Sequence, residues 1–351
     1  MKVLVAMSGG VDSSVAAYLL KEQGYEVFGL SLELWEQRGR KNFKTCCSVD
    51  AIEGARKVAE GIGIPHYSVD VKDSFVQCVI EPFCEDYLCG KTPNPCILCN
   101  KHIKFDFLLL KARELGADLI ATGHYAGVIQ KGGRFYLKKG LDPKKDQSYV
   151  LYVMTQEQLN RTIFPLAGLF KEDTRRIASA ARIITAERPE SQEICFVGDG
   201  RYGDFIRGLN PEASTSGPIL NIDGKVIGEH MGIAFYTIGQ RAGLGIAAGK
   251  PLYVIGLDKL NRAVIVGERE AAMKRSFSVR DLNWPSKEPP EYPFRASVKI
   301  RSAMKEEPAT ITPINGSRVS VEFDTPQWAP APGQSAVFYD RDIVLGGGII
   351  E

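Results

Sequence analysis

The chain lacks any long apolar run. No window of its 351 residues reaches the roughly 20 that a helix needs to span a bilayer, and Met1–Met7 is too short for a secretory apolar core. A cytoplasmic protein that meets no membrane is expected. Low-complexity tracts are also missing, and with 44% hydrophobic and 25% charged residues the composition is that of a folded chain. Charge of one sign is lacking: 44 Lys+Arg stand against 42 Asp+Glu, so net charge neither demands nor excludes nucleic acid. The Gly-rich turn near the N-terminus is not followed by Gly-Lys-Ser/Thr and is not Gly-x-Gly-x-x-Gly, which excludes a Walker A loop and a dinucleotide fingerprint there. The Cys-x-x-Cys at Cys96 and Cys99 has no second Cys-x-x-Cys or spaced His pair to complete a zinc ribbon.

What is present starts with size. A chain this long exceeds the roughly 250–300 residues at which one hydrophobic core stops growing, so two or three domains are expected. Eight cysteines without a secretory signal point to metal or redox chemistry over a disulfide framework. Cys46, Cys47, Cys78, Cys84, Cys89, Cys96 and Cys99 fall in the first third, and Cys195 lies far downstream. An apolar run at residues 2–7 ends in Ser8-Gly9-Gly10, after which Val11, Val15, Ala16, Leu19 and Leu20 recur at helical spacing. Tyr25–Leu34 and His66–Val71 read as strands around a helix at Asp50–Gly61, residues 73–89 and 101–115 as helices, and Asp118–Thr122 as a buried strand ending at Gly123. This alternation predicts an α/β fold, a doubly wound parallel sheet that takes ligands at the carboxyl ends of its strands. After about residue 205 the strands shorten and Gly and Pro multiply. The expected division is residues 1–205, a small central β-rich domain at 206–280, and an all-β domain at 281–351, barrel or sandwich, entered through the Pro-rich Trp284–Pro293.

Three stretches carry chemistry. Ser8–Ser14 joins a strand to a helix N-terminus, where glycines let backbone N–H groups approach a phosphate and the helix dipole favours negative charge; an ordinary N-capped turn is the plain alternative. In Thr92-Pro93-Asn94-Pro95-Cys96-Ile97-Leu98-Cys99-Asn100 two prolines predict an extended segment, and the two thiols reach one acceptor; half a structural zinc site is the alternative. Ser191–Gly198 holds Cys195, and an isolated cysteine is more often a buried small apolar residue than a catalyst.

Ser8-Gly9-Gly10-Val11-Asp12-Ser13 resembles the SGG-x-DS pyrophosphate loop of N-type ATP pyrophosphatases. Six further stretches stand in register with it. They are Thr92–Asn100, Ala121-Thr122-Gly123-His124-Tyr125, Lys145-Asp146-Gln147-Ser148-Tyr149, the Cys195 stretch, Gly228–Arg241, and Pro332–Tyr339 with Leu345–Ile350. With them the chain from Met1 to Glu351 resembles the tRNA-specific 2-thiouridylases of bacteria and mitochondria. The resemblance implies an adenylating domain, a central domain and a C-terminal β-barrel, the last two helping to hold tRNA. It implies ATP binding by Ala6, Met7, Ser8, Gly9, Gly10, Val11, Asp12, Ser13, Leu32 and Gly123, with Mg²⁺ held near Asp12. Asn94, Pro95 and Cys96 would face the target uridine, and Lys145, Asp146, Gln147, Arg301 and Ser302 would touch the tRNA. Cys99 would be the nucleophile and Cys195 the persulfide carrier. The implied substrates are Lys, Glu and Gln tRNAs at the wobble uridine, with sulfur from a cysteine desulfurase, a sulfur carrier or inorganic sulfide.

The sequence departs from the family at Cys96, where many relatives carry an aspartate suited to general acid/base work. Cys96, Cys99 and Cys195 would supply three thiolates, the ligand set of a [4Fe–4S] cluster with one open iron, so a cluster and a persulfide relay both remain open. Cys46 and Cys47 are expected to be buried, and the sequence assigns no role to Cys78, Cys84 or Cys89. Other synthetases with a pyrophosphate loop would need neither the Cys-x-x-Cys nor Cys195. A non-enzymatic RNA-binding protein with a structural zinc would bind RNA regardless of ATP.

Overall fold

The computed structural model describes residues 1–35, 49–189, 194–197, 202–286 and 288–351. The expected burial of Cys46 and Cys47, and residues 191–193 and 198 of the Cys195 stretch, lie outside these. Among the described residues no helix is long and apolar enough to cross a membrane.

In strand β1 (Lys2–Ala6), Val3, Leu4 and Val5 are all fully buried, as the continuous apolar run demands of a strand covered on both faces. Alternation sends them to opposite sides: Val3 and Val5 join a cluster with Val15, Ala16 and Leu20 of the helix Val11–Glu22, whereas Leu4 joins one with Phe105, Leu108 and Ala112 of the helix Phe105–Glu114. Strands β2 (Glu26–Glu33) and β4 (Leu119–Ala121) flank β1 in parallel, and β3 (His66–Asp70) adds beyond β2. After β4 the chain makes a hairpin, β5 (Ala126–Lys131) and β6 (Arg134–Lys139), then returns with β7 (Thr162–Ile163) to complete the order β3-β2-β1-β4-β7. The chain winds outward from β1 through β3, then crosses to β4 on the opposite side. The switch point between β1 and β4 therefore opens a crevice at their carboxyl ends, where doubly wound sheets take ligands. The turns at Ser8–Gly10 and Gly123 both fall there.

The central sheet runs β10-β11-β8-β9, from β8 (Gly217–Leu220), β9 (Val226–His230), β10 (Tyr253–Asp258) and β11 (Ala263–Gly267). Six antiparallel strands follow: β12 (Met273–Asn283), β13 (Phe294–Lys299), β14 (Glu307–Asn315), β15 (Arg318–Trp328), β16 (Ser335–Asp340) and β17 (Ile343–Ile350). Pairing of β12 with both β15 and β17 closes them into a barrel, and closure leaves no edge among the six. The hairpin β5–β6 hydrogen-bonds to β17 at the Lys138–Ile343 pair, so a segment between two strands of the parallel sheet extends the barrel's sheet. Its Gly132-Gly133 turn, both residues at positive φ, is the two-residue connection that a right-twisted hairpin prefers.

Candidate active site

The phosphate turn is built against its neighbours on every side. Gly9 sits at φ +72°, and a Cβ there would lie 2.1 Å from the carbonyl oxygen of Ala51, so only glycine fits. Gly10 is the N-cap of Val11–Glu22, and its carbonyl accepts from the hydroxyls of Ser13 (3.1 Å) and Ser14 (2.9 Å). Ser8 N–H donates to Ser13 Oγ at 3.2 Å. Ser31 at the end of β2 donates to the carbonyl of Met7 at 2.7 Å, anchoring the entry to the turn, while Leu32 follows it in the same strand. From the far side of the crevice Gly123 approaches so closely that a Cβ would lie 2.7 Å from both Asp12 C and Ser13 N. Gly123→Ala is therefore expected to displace the turn and raise the KM for ATP about 10-fold or more, measured as pyrophosphate release; an unchanged KM would show that the turn is free to shift.

Asp12, in the first turn of that helix, points at a cation. Lys171 Nζ donates to both its carboxylate oxygens at 2.6 and 2.7 Å, and the Tyr125 hydroxyl donates to Oδ1 at 2.9 Å. The Lys171 side chain is 9% exposed and that of Asp12 32%, so the pair is shielded on the lysine side and open on the carboxylate side. Two more groups reach the turn from the chain that leads to Cys195: Thr185 donates to Ser14 Oγ at 3.1 Å, and Arg188 donates to the carbonyl of Gly9 at 2.8 Å. Sequence reasoning missed Lys171, Thr185 and Arg188. A signal existed for the first: Lys171 opens the helix Lys171–Ala180, the end where the helix dipole disfavours a cation, and such a broken local rule marks a functional position. His124 lies between Phe105 and Phe164, ring centroids 6.3 Å from each, and burial holds its pKa well below the ordinary histidine value, so the ring stays neutral.

The expectation of an extended Thr92–Asn100 is corrected. Asn94 is extended, but it is the N-cap of a helix, Pro95–Cys99, its Oδ1 accepting from Cys96 N–H at 3.1 Å. Pro95 occupies the first helical position, where proline is favoured because its missing N–H has no partner to lose. The chain then passes through a π turn at Asn100–Lys104 into Phe105–Glu114, and such π turns concentrate at functional sites. Cys96 is exposed, whereas Cys99, one turn on, is buried in a cluster with Phe75, Phe83 and Phe196. Phe196 packs edge-on against Phe83 at 5.2 Å, and its neighbour Cys195 lies half-buried against the same cluster. Aromatic packing thus brings Cys99 and Cys195, distant in sequence, to one cluster, and Leu32 packs against it as well. Cys84 lies there too, but burial raises its pKa to about 11, which keeps it a protonated thiol near neutral pH. Among the described residues no three His, Cys, Asp or Glu side chains are grouped so as to hold a single metal ion.

The residues expected at the tRNA have prominent internal bonds. Asp146 accepts from the N–H groups of Gly140 and Ser148, both at 3.1 Å, and from the Ser148 hydroxyl at 2.9 Å. Gln147 Oε1 accepts from Tyr125 N–H at 3.0 Å, while Lys145 is half-buried and Ser302 exposed. Arg301 Nη2 donates to the carbonyls of Ile238 and Ala329, both at 2.9 Å, bridging the central sheet's surroundings and the barrel. Arg301→Ala should first cost about 1–3 kcal/mol of stability, visible as a lowered midpoint in thermal denaturation. A full-height midpoint with a flattened salt dependence of tRNA binding would instead assign Arg301 to a phosphate.

Comparison with known proteins covers the whole chain. The family described as tRNA methyl transferase HUP domain matches residues 1–199, tRNA methyl transferase PRC-barrel domain residues 203–268, and aminomethyltransferase beta-barrel domain residues 274–350. The chain is 49% identical to tRNA-specific 2-thiouridylase MnmA of Symbiobacterium thermophilum, over 100% of this chain and 92% of that protein. It is 46% identical to the protein of the same name from Clostridioides difficile, over 100% of this chain and 98% of that one. With tRNA-specific 2-thiouridylase MnmA 2 of a Thermoanaerobacter species the identity is 48%, over 100% and 98%.

Proposed function

The chain belongs to the family of tRNA-specific 2-thiouridylases, and from that premise we propose that it uses ATP to adenylate the C2 oxygen of a tRNA wobble uridine and replaces that oxygen with sulfur. The observation that carries the reading is the joining of two sites. The phosphate turn is tied through Arg188 to the segment leading to Cys195, and Leu32 beside that turn packs against the cluster that holds Cys99.

The C2 oxygen is a poor leaving group, so it must first attack the α-phosphorus of ATP and expel pyrophosphate. The N–H groups at the start of Val11–Glu22, with the Lys171 ammonium held on Asp12 beside them, would stabilise the negative charge that develops there. Mg²⁺ prefers carboxylate oxygens beside substrate phosphates, and Asp12, one-third exposed but with both oxygens on the Lys171 ammonium, would hold it only by sharing its carboxylate with that lysine. The ion would supply charge neutralisation there. Sulfur then enters by thiol exchange. The Cys99 thiolate attacks Sγ of a Cys195 persulfide, a Cys99–Cys195 disulfide forms, and hydrosulfide leaves. The hydrosulfide attacks C2, and the C2 oxygen departs on AMP. An external thiol returns the two electrons that regenerate both cysteines. This relay uses only Cys99, Cys195 and an external reductant, and among the described residues no three His, Cys, Asp or Glu side chains are grouped around a single metal ion.

The parallel-sheet domain, the central sheet and the barrel would divide the work into adenylation and tRNA holding, with Lys, Glu and Gln tRNAs as substrates. The barrel begins at β12 (Met273–Asn283), so the expected boundary at 280/281 moves N-terminal to that strand and Trp284–Pro293 lies within the barrel. The test is incubation with ATP, a persulfide donor and each unmodified tRNA, reading AMP, pyrophosphate and 2-thiouridine. Tight RNA binding without AMP release would favour the non-enzymatic alternative.

A further inference from the structure

The six residues between β15 and β16 run Ala329-Pro330-Ala331-Pro332-Gly333-Gln334, a stretch of small residues and prolines that could pass for a spacer. Its contacts are not those of a spacer. Ala329 and Ala331 are fully buried in the hydrophobic cluster of the central sheet, and Ala329 takes one of the Arg301 bonds. Three residues on, the same strand of chain grips the segment that leads to the cysteines. Thr92 N–H donates to the carbonyl of Pro332 at 2.8 Å, and Gln334 Nε2 donates to the carbonyl of Thr92 at 2.8 Å, so both backbone groups of Thr92 are held by the turn. Gly333 sits between them at φ +91°, where a Cβ would lie 3.0 Å from Thr92 N and Lys91 Cβ. The turn is itself fixed by the last strand, since Gly333 N–H donates to Ile350 O and Ile350 N–H to Gln334 O, at 3.0 and 2.8 Å.

Thr92 is two residues before Asn94, the cap that starts the helix carrying Cys96 and Cys99. The other end of that short helix is tied as well, by Asn100 Nδ2 donating to Val150 O at 2.8 Å. We infer that Gln334, with the Pro332–Gln334 turn, is a positioning residue that sets the place of the Cys96–Cys99 helix. The barrel is thereby a working part of the sulfur-transfer site as well as a surface for tRNA. This rests on the proposed role of Cys99. Proline at 332 and the closed barrel make the turn stiff, which is what an attacking thiol needs: a misplacement of about 1 Å costs on the order of 10²-fold in rate.

Gln334→Ala deletes the side-chain bond, and Gln334→Glu keeps the size but offers only acceptors to the Thr92 carbonyl. Both variants of the full-length protein should fold, with thermal midpoints near that of the parent. Both should lose about 10–100-fold in the rate of 2-thiouridine formation, while tRNA-dependent pyrophosphate release and the KM for ATP stay within about two-fold. Independently of activity, the rate at which iodoacetamide alkylates Cys99 in the intact protein, read by peptide mass spectrometry, should rise about 10-fold as the helix loosens. An alkylation rate unchanged in both variants overturns the inference whether or not the protein thiolates tRNA. So does an equal fall of adenylation and thiolation, since that is the signature of a general structural defect. A Glu variant that behaves as the parent shows that the donated bond is not the operative contact.

Discussion

Lys171→Met is expected to lower tRNA-dependent pyrophosphate release by about 10²–10³-fold, the size of effect seen when one preorganised donor is removed from a site of developing negative charge. Methionine keeps the length and apolar stem of lysine, so the change isolates the ammonium. That ammonium sits 2.6 and 2.7 Å from the two oxygens of Asp12, on the first residue of a helix, and is shielded from solvent. Asp12→Asn should lose adenylation to a similar extent, and the double variant should be little worse than either single one. Residues that act as a unit are strongly non-additive. Arg at the same position tests charge against shape: its planar fork replaces a compact ammonium in a tight space, so Lys171→Arg should recover only part of the rate. Pyrophosphate release undiminished in Lys171→Met would detach the lysine from the chemistry and leave it as a structural partner of Asp12.

The parts of this molecule that could be read from sequence are those in which local pattern and global fold agree. Val3-Leu4-Val5 is apolar without interruption because both faces of β1 are covered, and Ser8-Gly9-Gly10 could only be a turn because Gly9 has φ +72° and no room for a Cβ. The parallel sheet followed from those segments and their repetition. The hairpin β5–β6 did not, because its residues Gln130, Lys131, Arg134, Lys138 and Lys139 are polar and its main stabilising neighbour, β17, lies at the other end of the sequence. Strand β12 was hidden for a related reason. Of its eleven residues only Val279 is fully buried, so Met273–Asn283 carries no clear alternation.

The site divides in the same way. Candidate residues from contiguous motifs, such as Gly9, Asp12, Gly123, Cys99 and Cys195, stand out in the sequence because backbone geometry or thiol chemistry restricts the residue type. Residues that arrive singly from elsewhere are not: Lys171, Thr185 and Arg188 are ordinary surface types until the fold brings them to the phosphate turn. Cys96 shows a third limit. The prolines around Asn94 suit an extended chain, yet proline at the first position of a helix promotes the helix, and the two outcomes differ only by whether Asn94 caps it.

The cysteines carry the other large effect. Cys99→Ala and Cys195→Ala should each abolish 2-thiouridine formation, by about 10³-fold or more, while pyrophosphate release persists, because neither thiol belongs to the phosphate turn. Cys99 is buried in the cluster of Phe83 and Phe196 and Cys195 lies half-buried against it, an apolar setting that would limit the access of water to the proposed persulfide. After one turnover without reductant, the parent protein should accumulate a Cys99–Cys195 disulfide detectable by peptide mapping, and added dithiothreitol should restore turnover. Cys96 is exposed at the start of the helix, whereas Cys99 is buried, and the proposed relay uses Cys99 and Cys195 alone. Cys96→Ala should therefore keep thiolation within about 10-fold of the parent, and the aerobically purified protein should be colourless and active. The opposite pattern would be a brown, iron-containing protein whose Cys96→Ala variant loses its visible absorption and its thiolation together while still releasing pyrophosphate. That outcome would overturn the relay in favour of three-thiolate ligation by Cys96, Cys99 and Cys195.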